Sequence, residues 1–221
     1  MWETDVIKKI RPFTILSVAY QWLGGKTQVI ACDNQSEYDL LKKLHKLLDE
    51  ADIVIAHNGD SFDIKKINAR FIVYKFHPPS PYKTIDTKKE AKRIAAFDSN
   101  SLENLGIDLG EGEKIKHRGF AMWEGCMAGK KKDWEEMKKY NKKDVDLLYR
   151  VYLRLRGWIK NHPNFSESGE CPNCNSRNVQ KRGFRVLRYS RYQSLQCQAC
   201  GAWFRGEKIS EKSHHSSSQK I

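Results

Sequence analysis

The chain's 221 residues suffice for one domain of about 150–170 residues and a small appendage. No apolar run approaches the roughly 18–20 residues that cross a bilayer, and none follows a basic N-terminus, so neither a transmembrane helix nor a secretory signal is expected, and a cytoplasmic setting with reduced thiols is. Forty Lys and Arg against 27 Asp and Glu give a net charge of +13, which points to a polyanionic partner, nucleic acid before membrane, or else to a lysine-rich solvated surface.

Residues 14–22 and 26–31 are β-rich, and Gly24-Gly25 between them signals a hairpin. Residues 36–50 place apolar side chains at 40, 41, 44, 47 and 48, the spacing of a helix. The segment 53–57 (IVIAH) reads as a short buried strand, 62–75 as a helix, and Pro78, Pro79 and Pro81 as a rigid turn. A strand over 83–86 and a helix over 87–95 follow. Ser99 or Ser101 is placed to cap a small helix in SLENLG, and Asp133 to cap a long helix reaching about residue 156. The order hairpin, helix, strand, helix, strand, helices predicts an α/β fold with one mixed sheet flanked by helices, not a doubly wound parallel sheet. The predicted division is 1–162 for this domain, 163–170 for a polar linker, 171–206 for a small β module and 207–221 for a disordered tail. His214-His215 in that tail reads as solvated.

Two carboxylates call for explanation. His57-Asn58-Gly59-Asp60-Ser61-Phe62-Asp63 follows the buried strand, where α/β folds commonly place functional side chains. Asp60 or Ser61 is placed to cap the next helix, which leaves Asp63 free in its first turn. On the long helix Met137, Tyr140, Asp144, Leu147, Leu148, Val151 and Leu155 share a stripe. Asp144 thus lies on or beside the face due for burial, where a charge needs a salt-bridge partner or a metal.

Asn58 to Asp63 (N-x-x-x-F-D), followed by Tyr140 to Asp144 (Y-x-x-x-D), resembles motifs two and three of the DEDD 3′–5′ exonucleases, the DnaQ-like branch of the ribonuclease H-like fold. The tyrosine spacing matches the DEDDy subclass; no His stands five residues before Asp144. HNGDSFDIKKINARF, KTIDT, FDSNSLENLG and YNKKDVDLLYRVYLRL are most similar to the YprB-type ribonuclease H-like nucleases, over about residues 2–162. The resemblance implies phosphodiester hydrolysis with two Mg²⁺ or Mn²⁺ ions, one activating the attacking water and the other stabilising the leaving oxygen. It implies that Asp63 holds the leaving-group ion and Asp144 the nucleophile-side ion, that Tyr140 orients the water, and that Asn58 and Phe62 shape the turn.

Such enzymes also carry a D-x-E motif on a first, central strand. The chain opens Met1-Trp2-Glu3-Thr4, with no apolar residues before Glu3 to build that strand. The expectation is that the strand lies upstream of this start, that Glu3 and Asp5 are bystanders, and that the chain as given is inactive or nearly so. Three functions follow: a metal-dependent nuclease, a nucleic-acid-binding module without chemistry, or an accessory factor of a mobile element or phage.

Cys171-Pro-Asn-Cys174 and Cys197-Gln-Ala-Cys200 stand 22 residues apart. Two such pairs fill the four positions of a tetrahedral zinc, which predicts a structural ion with no open position in preference to disulfides or a redox pair. Residues 171–206 contain no Asp or Glu, and interleave Arg182, Arg185, Arg188 and Arg191 with Phe184, Tyr189, Tyr192, Trp203 and Phe204. The arginines, with Tyr192, are candidate nucleic-acid contacts, while the rings are expected mostly to pack as the core of a metal-stapled fold. A turn is expected at Gly183. The segment resembles the zinc ribbons attached to transposases and other nucleic-acid enzymes. Cys32 and Cys126 read as packing residues.

Overall fold

A computed structural model of the chain describes residues 13–164, 166 and 169–209. Glu3, Asp5 and the His214-His215 pair lie outside them. The described residues form β1 (Ser17–Tyr20), β2 (Gln28–Ala31), α1 (Glu37–Glu50), β3 (Ile53–Ala56), α2 (Asp63–Val73), β4 (Lys83–Asp86), α3 (Thr87–Ile94), α4 (Leu102–Asp108), α5 (Phe120–Met127) and α6 (Lys131–Leu155). After a 3₁₀ turn, Arg156–Trp158, come β5 (Val179–Leu187), β6 (Ser190–Cys197) and β7 (Trp203–Lys208).

β1 and β2 pair antiparallel around a tight turn in which the Gly25 N–H donates to the Trp22 carbonyl. β3 and β4 pair parallel, with Ile53 opposite Lys83 and Ala56 opposite Asp86. Among the described residues no ladder joins the two pairs. The single mixed sheet expected from the sequence is thus two separate ladders, one of each sense, because no described strand stands between β1 and β3.

α6 is the spine that unites them. Its 25 residues make it about 37 Å long, and it packs against β1, β2, α3, α4 and α5. Leu147, Val151 and Leu155 meet Ala91, Leu102 and Leu105; Trp134 and Met137 meet Ala31, Met122 and Cys126; Tyr152 meets Ile85 and Ile159. α1 starts where the Ser36 hydroxyl accepts from the Asp39 N–H, and buries Leu40, Leu41, Leu44 and Leu48 against Ile15 and Phe71. Each such leucine is worth about 1.5–3 kcal/mol.

Two boundaries differ from expectation. α6 begins at Lys131 with Lys130 as its cap, so Asp133 does not cap it. The Asp133 carboxylate instead turns inward to Arg118 and lies against Gly125, where a Cβ would collide with it. α5 has no sequence signal, being apolar nearly all round and starting at Gly119 (φ 62°) without a capping side chain.

The C-terminal sheet has the order β5-β6-β7, all antiparallel. Gly183 (φ 73°) makes a bulge within β5 and not the expected turn; the chain reverses at Arg188-Tyr189. Residues 207–209, assigned to a tail from sequence, belong to this sheet: β7 runs to Lys208, and the Ile209 N–H donates to the Arg191 carbonyl. The sheet docks on the end of α6 through Asn173, whose side-chain amide donates to the Arg156 carbonyl at 2.7 Å.

Candidate active site and metal centre

The carboxyl ends of β3 and β4 are tied by one side chain. Asp86 caps α3 and accepts from the N–H groups of Asn58 (2.9 Å), Asp60 (3.3 Å), Lys88 (3.1 Å) and Lys89 (3.3 Å). Four donors explain how a carboxylate only 4% exposed is accommodated. The bound loop turns sharply: Asn58 has φ 63°, and Gly59 lies so close to Ala56 that a Cβ would collide with it. Neither Asp60 nor Ser61 caps α2. Phe62 occupies the cap position without a side-chain bond, the Ile64 N–H donates to the Gly59 carbonyl, and Asp60 pairs with Lys89 at 2.8 Å. The backbone turn therefore meets the need that a capping side chain would have met. Asp63 is the first residue of α2 and is exposed as a residue, yet its carboxyl is crowded by the loop. That burial raises its pKa, partly opposed by its own N–H, and the charge on Asp86 raises it further.

α6 contributes Tyr140 and Asp144 from one face, four residues apart. Between α4 and α5 the chain sends in Lys114, whose ammonium donates to Asp144 Oδ2 at 2.6 Å and to the Tyr140 hydroxyl at 3.4 Å. Asp144 Oδ1 is buried and has no hydrogen-bond partner. Burial would lower the Lys114 pKa, but the bond to Asp144 and its charge raise it; burial, and then the charge of Asp144, raise that of Tyr140. His57 bonds Thr87 at 3.0 Å; burial lowers its pKa, Asp86 opposes this, and Lys88 and Lys114 add to the lowering. Lys114 and Asp86 escaped the sequence reading: a lone Lys in a chain this basic carries no signal, and Asp86 looked like the end of a strand.

The four expected cysteines converge. Their sulfurs lie within 4.8 Å of one another, with Cys171–Cys200 at 3.6 Å and Cys174–Cys197 at 3.7 Å. A tetrahedral zinc with bonds of about 2.3 Å sets sulfurs roughly 3.8 Å apart, so the donors fit that ion, and they are too far apart for disulfides. Both knuckles have the same turn: the Asn175 N–H donates to the Cys171 carbonyl and the Gly201 N–H to the Cys197 carbonyl, with φ of 58° and 78°. Burial pushes the Cys171 thiol up to about 11. Burial also opposes ionisation of Cys197, but N–H donors from Cys200 and Ala199 bring it down to about 7, as suits a thiolate ligand. Among the described residues this is the only group of three or more His, Cys, Asp or Glu ligand atoms close enough to share an ion. Asp63 and Asp144 belong to none.

The expected mini-core of rings forms only in part. Cys171, Cys197 and Ala202 are the buried apolar residues of the C-terminal module and Phe204 packs against them, while Tyr189, Trp203 and Phe184 are exposed. Arg191 lies over the Phe184 ring at 3.8 Å, Arg205 over Tyr192 at 4.4 Å and Arg188 over Tyr189 at 5.2 Å. Such stacking lets the rings stay at the surface, because the cations cover their faces. Arg182, Arg185 and Arg188 are exposed, and Arg182 bonds Gln196 at 3.1 Å. Arg191 and Tyr192 are half-buried. Cys126 is buried in the core and Cys32 bonds the Ile15 carbonyl, so both pack as expected.

Two comparisons complete the description. A family model described as the RNase_H superfamily matches residues 3–156, well over half of the chain. A comparison with curated proteins finds no match.

Proposed function

The chain belongs to the RNase_H superfamily, and from that premise we propose a nucleic-acid-binding, metal-dependent 3′–5′ exonuclease of the DEDDy, YprB-like type, with residues 1–162 as its nuclease domain, 163–170 as a linker and 171–206 as a zinc ribbon. The observation that carries the proposal is the face of α6, where Asp144 Oδ1 is buried without a donor beside the Tyr140 hydroxyl. An orphaned carboxylate oxygen suits a hard cation. Asp63 and Asp144 would hold Mg²⁺ or Mn²⁺, which when bound supplies Lewis acidity and an activated water. Tyr140 keeps its proton, because its pKa is raised, and can orient that water. Lys114 neutralises Asp144 when no divalent ion is bound. The cysteines would hold a structural zinc that stiffens the sheet bearing Arg182, Arg185, Arg188, Arg191 and Tyr192, and a reducing cytoplasm suits four free thiols.

One observation favours a second reading, a nucleic-acid-binding module without chemistry: among the described residues neither Asp63 nor Asp144 belongs to a group of three or more side chains close enough to share an ion. End-labelled oligonucleotides with Mn²⁺ separate the two. Stepwise shortening from the 3′ end by residues 1–221, lost at least about a hundredfold in an Asp63→Asn, Asp144→Asn variant that still binds, would establish the exonuclease reading and overturn the expectation that the chain as given is inactive. Binding without cleavage by the wild type establishes the second reading, and neither binding nor cleavage removes both.

A further inference from the structure

Where the C-terminal sheet docks on the end of α6, the two parts enclose a cleft of about 530 Å³. Trp158 and Lys160 line it from the segment after α6, and Arg185, Leu187, Trp203 and Arg205 from the sheet. Both indoles are largely in solvent, Trp158 at 70% and Trp203 at 60% exposure, and neither belongs to an apolar core. No Asp or Glu lines the cleft, and none of its three cations forms an ion pair among the described residues. The walls are fixed in place: Asn173 bonds the Arg156 carbonyl, and Gly157 lies so close to the Cys200 carbonyl that a Cβ would overlap it.

We propose that this cleft is a second nucleic-acid subsite that takes an unpaired base of a single-stranded segment against the indoles of Trp158 and Trp203, with Lys160, Arg185 and Arg205 holding the flanking phosphates. This rests on the reading of the chain as nucleic-acid-binding and adds to it a place and a substrate class. Exposed flat rings among unpaired cations suit bases with free faces, whereas a duplex keeps its bases stacked on one another. Leu155, at the end of α6, lies roughly 16 Å along the helix from Asp144, so the cleft would grip a strand at a distance from the candidate active site.

The test uses the full zinc-loaded chain with no added Mg²⁺ or Mn²⁺ and no chelator, with fluorescein-labelled oligothymidylate, oligouridylate and a duplex of equal length, read by anisotropy. Wild type is expected to bind both single strands more tightly than the duplex, and the ratio of the two single strands tells DNA from RNA. Trp158→Ala and Trp203→Ala should each weaken single-strand binding about fivefold or more while leaving duplex binding within twofold, and Trp→Phe at each position should restore most of the loss. Tryptophan fluorescence should be quenched on binding in the wild type and less in either variant. If both alanine variants bind single strands within twofold of wild type, the subsite is wrong while the nucleic-acid reading stands. If wild type binds no oligonucleotide, both fall.

Discussion

Glu37 carries its charge into the interior, with 6% of its side chain exposed, and is tolerated there because four donors converge on it. Arg70 donates through Nε at 2.8 Å and Nη2 at 2.6 Å, the Tyr74 hydroxyl at 3.0 Å and the Ile15 N–H at 2.8 Å. Burial pushes the Glu37 pKa up, but Arg70, Ile15 and Tyr74 pull it further down, to below its ordinary value. A carboxyl whose pKa falls on folding adds stability above its unfolded pKa and loses it as pH drops through the folded value. Glu37→Gln strands the buried Arg70 and should cost about 3–5 kcal/mol in urea unfolding at pH 7, a deficit that shrinks as the pH falls through the lowered pKa of Glu37 in the folded state. Equal unfolding midpoints at pH 7 would show the pair to be energetically idle. The sequence holds no sign of this pair, since its members are 33 residues apart and each looks like an ordinary surface charge. Lys114 was hidden in the same way and makes its own prediction. Its ammonium bonds Asp144 Oδ2; if Asp144 binds a divalent ion as proposed, the two cations compete for one carboxylate, and Lys114→Met should tighten Mn²⁺ binding by about tenfold in calorimetry, the value of one charged hydrogen bond. Unchanged affinity would mean that the ammonium and the ion do not compete.

Elements were legible wherever a periodic pattern met a capping residue. α1 follows from its leucine spacing, to which the structure adds Ser36 as cap, and α4 from Ser101, whose hydroxyl accepts from the Asn104 N–H. Where local chemistry serves two ends, sequence misleads. A glycine with positive φ suits a bulge as well as a turn, so Gly183 was misread; an aspartate near a helix start suits a buried pair as well as a cap, so Asp133 was too. The cysteine knuckles were the clearest signal, because thiolate spacing has few other uses. They also fix what holds the C-terminal sheet together: three small buried residues cannot offset the entropy of ordering some 35 others. Stripping metal with a strong chelator should release one zinc per chain and collapse the amide dispersion of residues 171–206, while the helical circular dichroism of the remainder persists, since none of its cores includes a thiol of the cluster. Release of no zinc, or loss of all structure at once, would overturn that picture.

At the scale of the molecule the charge of +13 is unevenly distributed. α6 and its neighbours offset their lysines with acids, as in Arg118 with Asp133 and Glu136, or Lys114 with Asp144. The C-terminal sheet has no such relief: Arg177 pairs with Glu170, while Arg182, Arg185, Arg188 and Arg191 form no ion pair among the described residues. Composition alone revealed the excess but not its place, because placement depends on which charges the fold brings together. Single strands should therefore bind chiefly through this sheet, and binding should weaken steeply with salt. If the four arginines and one or two further cations each displace a counterion, the logarithm of affinity falls with the logarithm of salt at a slope of about −3.5 to −4. Replacing Arg182 and Arg188 with alanine should reduce that slope by about 1.4, since each lost contact removes roughly 0.7, without unfolding a sheet in which both side chains are exposed. A titration series from 50 to 300 mM salt measures it, and an unchanged slope in the double variant would move the binding surface away from the sheet and onto the lysines of the RNase_H-like region.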